Sequence, residues 1–212
     1  MKLNTLPILL AGTFLSTSAI ASDEAVYDWQ QLNDQLRNGN NAIVQNDMGQ
    51  WQWGRVELDL GKSWAGIDGQ NKILTGSSTS PSLFLEWQDD NPNGGNVTLW
   101  IKNVTLQNFD NNVISNGVVS AGAINVHSNS TGNNLNIDNV VFKNNKARNT
   151  DKDIAVEGGG LRNYVVYGQN LYIDHSRFEN NSVVSANNNE KAFGGGLYVE
   201  FGEYVDNITT NS

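Results

Sequence analysis

Two kinds of hydrophobic spacing divide the chain. In DWQQLNDQLR (28–37), Trp29, Leu32 and Leu36 recur at the three- and four-residue intervals of one helical face. Asp28 stands at the capping position and Gly39 just past the end, so one short amphipathic helix is expected. From Ala42 onward that interval disappears. Short β-rich runs replace it (AIVQ, VELDL, KILTG, LFLEW, VTLWI), separated by Gly, Asn, Asp and Ser. Leu135 and Ile137 alternate with Asn136 and Asp138, and Val140 and Phe142 alternate with Val141 and Lys143. One face of each run is therefore apolar.

The runs repeat. NVTLWIKNVTLQNF, beginning at Asn96, aligns without gaps on NNLNIDNVVFKNN and QNLYIDHSRFENN. The columns Leu99/Leu135/Leu171, Ile101/Ile137/Ile173, Leu106/Phe142/Phe178 and Asn108/Asn144/Asn180 share one period of 36 residues. Upstream of each later copy stands a second element, AGAINV from Ala121, GGGLRN from Gly158 and GGGLYV from Gly194. Three strands per unit follow: Gly-Gly-Leu, Leu-x-Ile and x-x-Phe. Such a unit cannot bury its apolar face alone and must stack on the next. Parallel stacking at about 4.8 Å predicts ladders of Leu, Ile and Phe in the core. It also predicts an amide ladder of Asn108, Asn144 and Asn180 at a turn. The expected fold is all-β, a right-handed parallel β-helix of about 36 residues per coil with a short N-terminal capping helix.

Composition agrees and narrows the function. Asn occupies 33 of 212 positions, Gly 21, Pro three and Cys none, a turn-rich and helix-poor mixture. Thirteen basic against 22 acidic residues give a net charge of −9, which argues against nucleic acid as a partner. Residues 1–21 read as a signal peptide: Lys2, an apolar stretch from Leu6 to Leu15, and small residues at Ala19-Ile20-Ala21. The expected organisation is 1–21 signal peptide, 22–45 an N-terminal cap of helix plus first strand, and 46–212 the β-helix. Export through the inner membrane is implied, to periplasm, cell surface, outer membrane or medium. With no cysteine, the exported fold must close by packing and hydrogen bonds alone.

Gly122-Ala123-Ile124 with Phe142-Lys143-Asn144-Asn145, and Gly159-Gly160-Leu161 with Phe178-Glu179-Asn180-Asn181, resemble the repeat pair of polymorphic outer-membrane proteins and related autotransporter passengers of bacteria. The stretch from Ile67-Asp68-Gly69 to Gly76 is similar to the opening coils of pectate-lyase-like β-helices. Ala121 departs from the pattern by replacing the first Gly of one motif. So does Leu106-Gln-Asn-Phe109, which stands where Phe-x-x-Asn is expected. The resemblance implies surface display and adhesion, with a host surface or a polysaccharide as partner. Related enzymes of this fold cut acidic polysaccharides with paired Asp and a Gly-His-Gly turn, or with Ca²⁺-binding Asp and a catalytic Arg.

The chain's own chemistry is sparse. His127 and His175 are its two histidines, and neither lies between glycines. Asp89-Asp90 precedes Asn-Pro-Asn-Gly-Gly and reads as a solvated turn, since neighbours on a strand face opposite ways. Asp174, His175 and Arg177 cluster in sequence, but Asp138, Asn139 and Val141 hold the same places one coil earlier, so a strand-end turn is expected. Asp151, Asp153 and Glu157 offer hard oxygens for Ca²⁺ without a defined loop spacing, and read as a charged surface loop. Gly158-Gly159-Gly160 and Gly194-Gly195-Gly196 have no following helix or Lys-Ser/Thr and are turns of close backbone approach. Trp51 and Trp53 suit packing better than a sugar platform. The loops Thr150 to Glu157 and Val183 to Phe193 are the candidates for recognition. No catalytic, cofactor or metal site is assigned. Tyr204 to Ile208 occupies the next Leu-x-Ile position, so the last coil is expected to be unfinished. A missing translocator or neighbouring coils, or self-association through the open end, would then complete it.

Overall fold

A computed structural model describes residues 22–49, 55–57, 64–77, 83–87, 98–115, 118–128, 132–149, 154–165, 169–185, 191–201 and 207–210. The expected signal peptide, Trp51, Trp53, Asp89, Asp90, Asp151, Asp153 and Tyr204 to Asp206 lie outside the described residues.

The helix forms over Trp29–Arg37, and the Asp28 carboxylate accepts the Gln31 N–H at 2.9 Å, satisfying one orphan donor of the first turn. Gly39 takes a left-handed φ of 65° just after it. Trp29, Leu32 and Leu36 are buried. The Trp29 indole N–H donates to the Gly49 carbonyl at 3.1 Å, and its ring meets Phe109 edge-on at 6.3 Å.

The rest of the described chain is β, and almost all pairing is parallel between successive coils. The long sheet runs Asp23–Val26, Asn41–Val44, Trp64–Thr75, Thr98–Gln107, Asn133–Lys143, Gln169–Asp174, Asn207–Thr210, with Arg177–Glu179 also beside Asn133–Lys143. A second sheet stacks Arg55–Glu57, Leu83–Trp87, Ile124–Ser128, Leu161–Val165 and Leu197–Phe201. A third stacks Asp110–Asn111, Lys146–Arg148 and Ser182–Val184. The fourth holds Val118–Ser120, Ala155–Glu157 and Ala192–Phe193, with Ile114–Ser115 added antiparallel. The fold is an all-β parallel stack of coils, and its strands bracket the helix, since Asp23–Val26 pairs with Asn41–Val44.

The repeat columns are structural columns. Leu99, Leu135 and Leu171 stand opposite one another, as do Ile101, Ile137 and Ile173, and Leu106, Phe142 and Phe178. Apart from Phe178, which is partly buried, these side chains are 8% exposed or less. The Phe142 and Phe178 rings stack 4.7 Å apart at 2°.

Two expectations need correction. A coil holds four strands rather than three: Ile124–Ser128, Asn133–Lys143, Lys146–Arg148 and Ala155–Glu157 each lie in a different sheet. Leu-x-Ile and the Phe segment of that coil form one continuous strand because Asn139, at φ 52°, inserts a single left-handed residue. Inward positions thereby shift from Leu135 and Ile137 to Val140 and Phe142 without breaking the pairing on Thr98–Gln107. The third and fourth strands close a small second core of Val119, Ala147 and Val156.

The amide ladder is also displaced by one residue. Asn108, Asn144 and Asn180 adopt φ of 57°, 55° and 52°, the left-handed conformation Asn tolerates, and are exposed. Their neighbours carry the buried ladder. Asn145 Oδ1 accepts the Phe109 N–H at 3.1 Å and its Nδ2 donates to the Leu106 carbonyl at 2.9 Å. Asn181 repeats both bonds one coil later, to the Asn145 N–H and the Phe142 carbonyl. Further amide bonds join Asn170 to Asn134 at 3.0 Å and Asn139 to Asn103 at 2.9 Å.

The glycine motifs mark the closest approach between coils. The Gly122 N–H donates to the Gly158 carbonyl and the Gly159 N–H to the Gly194 carbonyl. A Cβ on Gly122 would collide with the Gly159 carbonyl, and one on Gly159 with that of Gly195. Gly158 and Gly194 have φ of 64° and 62°, and Ala121 takes the same conformation at 57°. The departure at Ala121 therefore keeps the turn and bears the strain that Gly avoids.

Candidate functional site: the outer face of the second sheet

Inward positions of the second sheet feed the core, for example Ile124, Val126 and Leu161. The alternate positions form two outward columns. Asn125, Arg162 and Tyr198 are in register in one, and His127, Tyr164 and Glu200 in the other.

Arg162 is the hub. It is 9% exposed, and a buried guanidinium requires partners. Its Nε donates to Glu157 Oε2 at 2.6 Å and its Nη2 to Glu200 Oε2 at 2.9 Å. The guanidinium carbon lies 4.9 Å from the Tyr164 ring centroid, within cation–π range. The same Tyr164 ring lies against His127, 4.9 Å between centroids. At the far side Phe193, 39% exposed, stacks on Tyr198 at 5.6 Å and 19°. Burial pushes the Tyr198 phenol above its usual range, and Glu157 and Glu200 add to this against the opposing Arg162.

The face thus presents aromatic rings beside hydrogen-bonding groups, with two carboxylates to one guanidinium. Ring faces suit the C–H surface of a sugar, and the polar groups suit its hydroxyls. Hydrolysis by a carboxylate pair needs room for water or the scissile oxygen between the two groups. Here Arg162 occupies that space.

Glu157 is not part of the solvated loop expected from the sequence: it is 6% exposed and held by Arg162. Of Asp174, His175 and Arg177, the first two meet and the third stands apart. Arg177 turns to Glu179 at 3.4 Å, whereas His175 Nδ1 reaches Asp138 Oδ1 at 3.2 Å and Asp174 Oδ2 at 3.3 Å. Sequence reasoning missed Arg162 because its partners come from different coils. The available signal was its outward place in Gly-Gly-Leu-Arg-Asn-Tyr, next to an outward aromatic.

A second electrostatic centre lies on the long sheet. Burial alone would raise the Asp68 carboxyl, but hydrogen bonds from Asn103, the Gln70 N–H and Lys102 outweigh it and hold it below the ordinary carboxylate value.

The chain matches no family model, no curated protein and no solved structure. Among the described residues no helix is long and apolar enough to cross a membrane.

Proposed function

We propose that the chain is an exported right-handed parallel β-helix that acts as a non-catalytic binding segment, of the kind found in autotransporter passengers and adhesins. Its ligand is a polysaccharide or a glycan-bearing host surface, met by the outer face of the second sheet. The observation that carries this reading is the Arg162 cluster: both flanking carboxylates are held by one guanidinium, while Tyr164, Tyr198 and Phe193 line the same face. A rigid stack of coils with its polar groups in fixed pairs suits recognition by a preformed surface. The acidic balance of the chain favours neutral over anionic saccharides.

The test is affinity electrophoresis of the full chain through gels containing neutral polysaccharides or polygalacturonate. Retardation by a neutral glycan, weakened about tenfold in Tyr164→Ala and Tyr198→Ala, is expected. Turnover of polygalacturonate that is lost in Asp89→Asn or Asp90→Asn would replace the binding reading with that of a polysaccharide-degrading enzyme.

A further inference from the structure

At the end of Gln169–Asp174, three ligand-type side chains meet from two coils. Asp138 and Asp174 are opposite one another in register, which sets two carboxylates on neighbouring strands, an unfavourable pairing without a cation between them. One coil earlier, Lys102 holds the same column and its Nζ lies 3.2 Å from Asp68. At the Asp138 and Asp174 rung the corresponding group is His175. It sits where earlier coils have Asn103 and Asn139, with the same left-handed backbone.

The distances fit a coordination shell as well as an ion pair. His175 Nδ1 is 3.2 Å from Asp138 Oδ1 and 3.3 Å from Asp174 Oδ2. One imidazole nitrogen carries at most one hydrogen and cannot serve both oxygens. Charge-assisted N–H···O⁻ bonds are also shorter, at about 2.7–2.9 Å. A tetrahedral ion about 2.0–2.1 Å from its nitrogen and oxygen ligands separates those ligands by roughly 3.3–3.5 Å. All three candidate atoms lie within 4.8 Å of one another. Asp174 is oriented for this, since its Oδ1 accepts the His175 N–H at 2.9 Å and leaves Oδ2 toward the ring.

We propose that Asp138, Asp174 and His175 form a surface site for a divalent transition metal of the zinc class. The imidazole selects such ions over Ca²⁺ and Mg²⁺, and the bound ion ties two adjacent coils together. The chain has only two histidines, so histidine NMR resolves the site directly. Untagged full chain is titrated with zinc chloride and, in parallel, calcium chloride, followed by calorimetry, histidine spectra and thermal melting. Saturable one-to-one zinc binding in the micromolar range is expected, with the His175 ring signals shifted, those of His127 unmoved, and a melting temperature that rises with zinc. His175→Asn installs the residue of the two earlier coils. It should weaken zinc binding at least tenfold while leaving metal-free melting unchanged. Absence of saturable binding below millimolar zinc, equal binding by His175→Asn, shifts confined to His127, or calcium binding as tight as zinc would each overturn the proposal.

Discussion

Replacing Asn145 by Ala tests the displaced amide ladder. The Asn145 side chain is fully buried and holds the Phe109 N–H and the Leu106 carbonyl of the preceding coil. Ala removes both partners and leaves the Phe109 N–H without its acceptor in a buried setting. A buried unsatisfied donor costs about 1–3 kcal/mol and the second lost bond about 1 kcal/mol, giving roughly 2–4 kcal/mol in all. With a urea slope of about 2 kcal/mol/M, the unfolding midpoint should fall by about 1–2 M. The control is Asn144→Gly, where the backbone is left-handed at φ 55° and the side chain exposed. Gly accepts that conformation freely, and the midpoint should barely move. Urea titrations followed by far-UV circular dichroism compare the two. A larger loss in Asn144→Gly than in Asn145→Ala would refute the ladder and restore the column that the repeat alignment favoured.

Three further predictions follow from the same structure. Gly159→Ala should lower stability by about 2 kcal/mol or more through overpacking, since its Cβ meets the Gly195 carbonyl and the Ser182 N–H; Gly195→Ala, whose nearest neighbour is 3.4 Å away, should be mild in thermal melts. Arg162→Met strands Glu157 in a buried setting and should cost about 3 kcal/mol, with Glu157→Gln in the double variant recovering part of it in urea unfolding. Asp68 has its folded pKa depressed, so the stability it contributes is present above the unfolded carboxylate value of about 3.9 and is lost as pH falls through the lower folded value. Urea midpoints between pH 6 and pH 2.5 should therefore fall more steeply in the parent than in Asp68→Asn; equal slopes would contradict the assignment.

What could be read in advance was whatever repeats with a large apolar side chain. The Leu, Ile and Phe columns align in register as the 36-residue period requires, and the helix ends where Asp28 and Gly39 place its caps. Lys146–Arg148 and Ala155–Glu157 escaped because each is three residues long and offers one small inward side chain, Ala147 or Val156. The Asn-Asn pairs conceal which member faces inward: both amides are chemically identical, and only the left-handed φ of the first turns the second into the core. The Arg162 cluster was invisible for a different reason. Arg162 takes Glu157 from the end of the preceding coil and Glu200 from the start of the following one, and no local pattern joins those three residues.

The parallel register also governs how the chain becomes ordered in time. The first pairing already joins residues 18 apart, as in Asn41 and Asp23, and the middle coils join residues 36 to 39 apart. Only Ile114–Ser115 with Val118–Ser120 makes a local antiparallel pair among the described strands. Each new coil must close a loop of its full length before its first contact forms, an entropic charge that grows with the logarithm of that length. Structure of this kind grows slowly, on millisecond-to-second scales or longer. The same geometry that makes the finished stack rigid leaves each new coil without partners until the full length of chain that forms it is present.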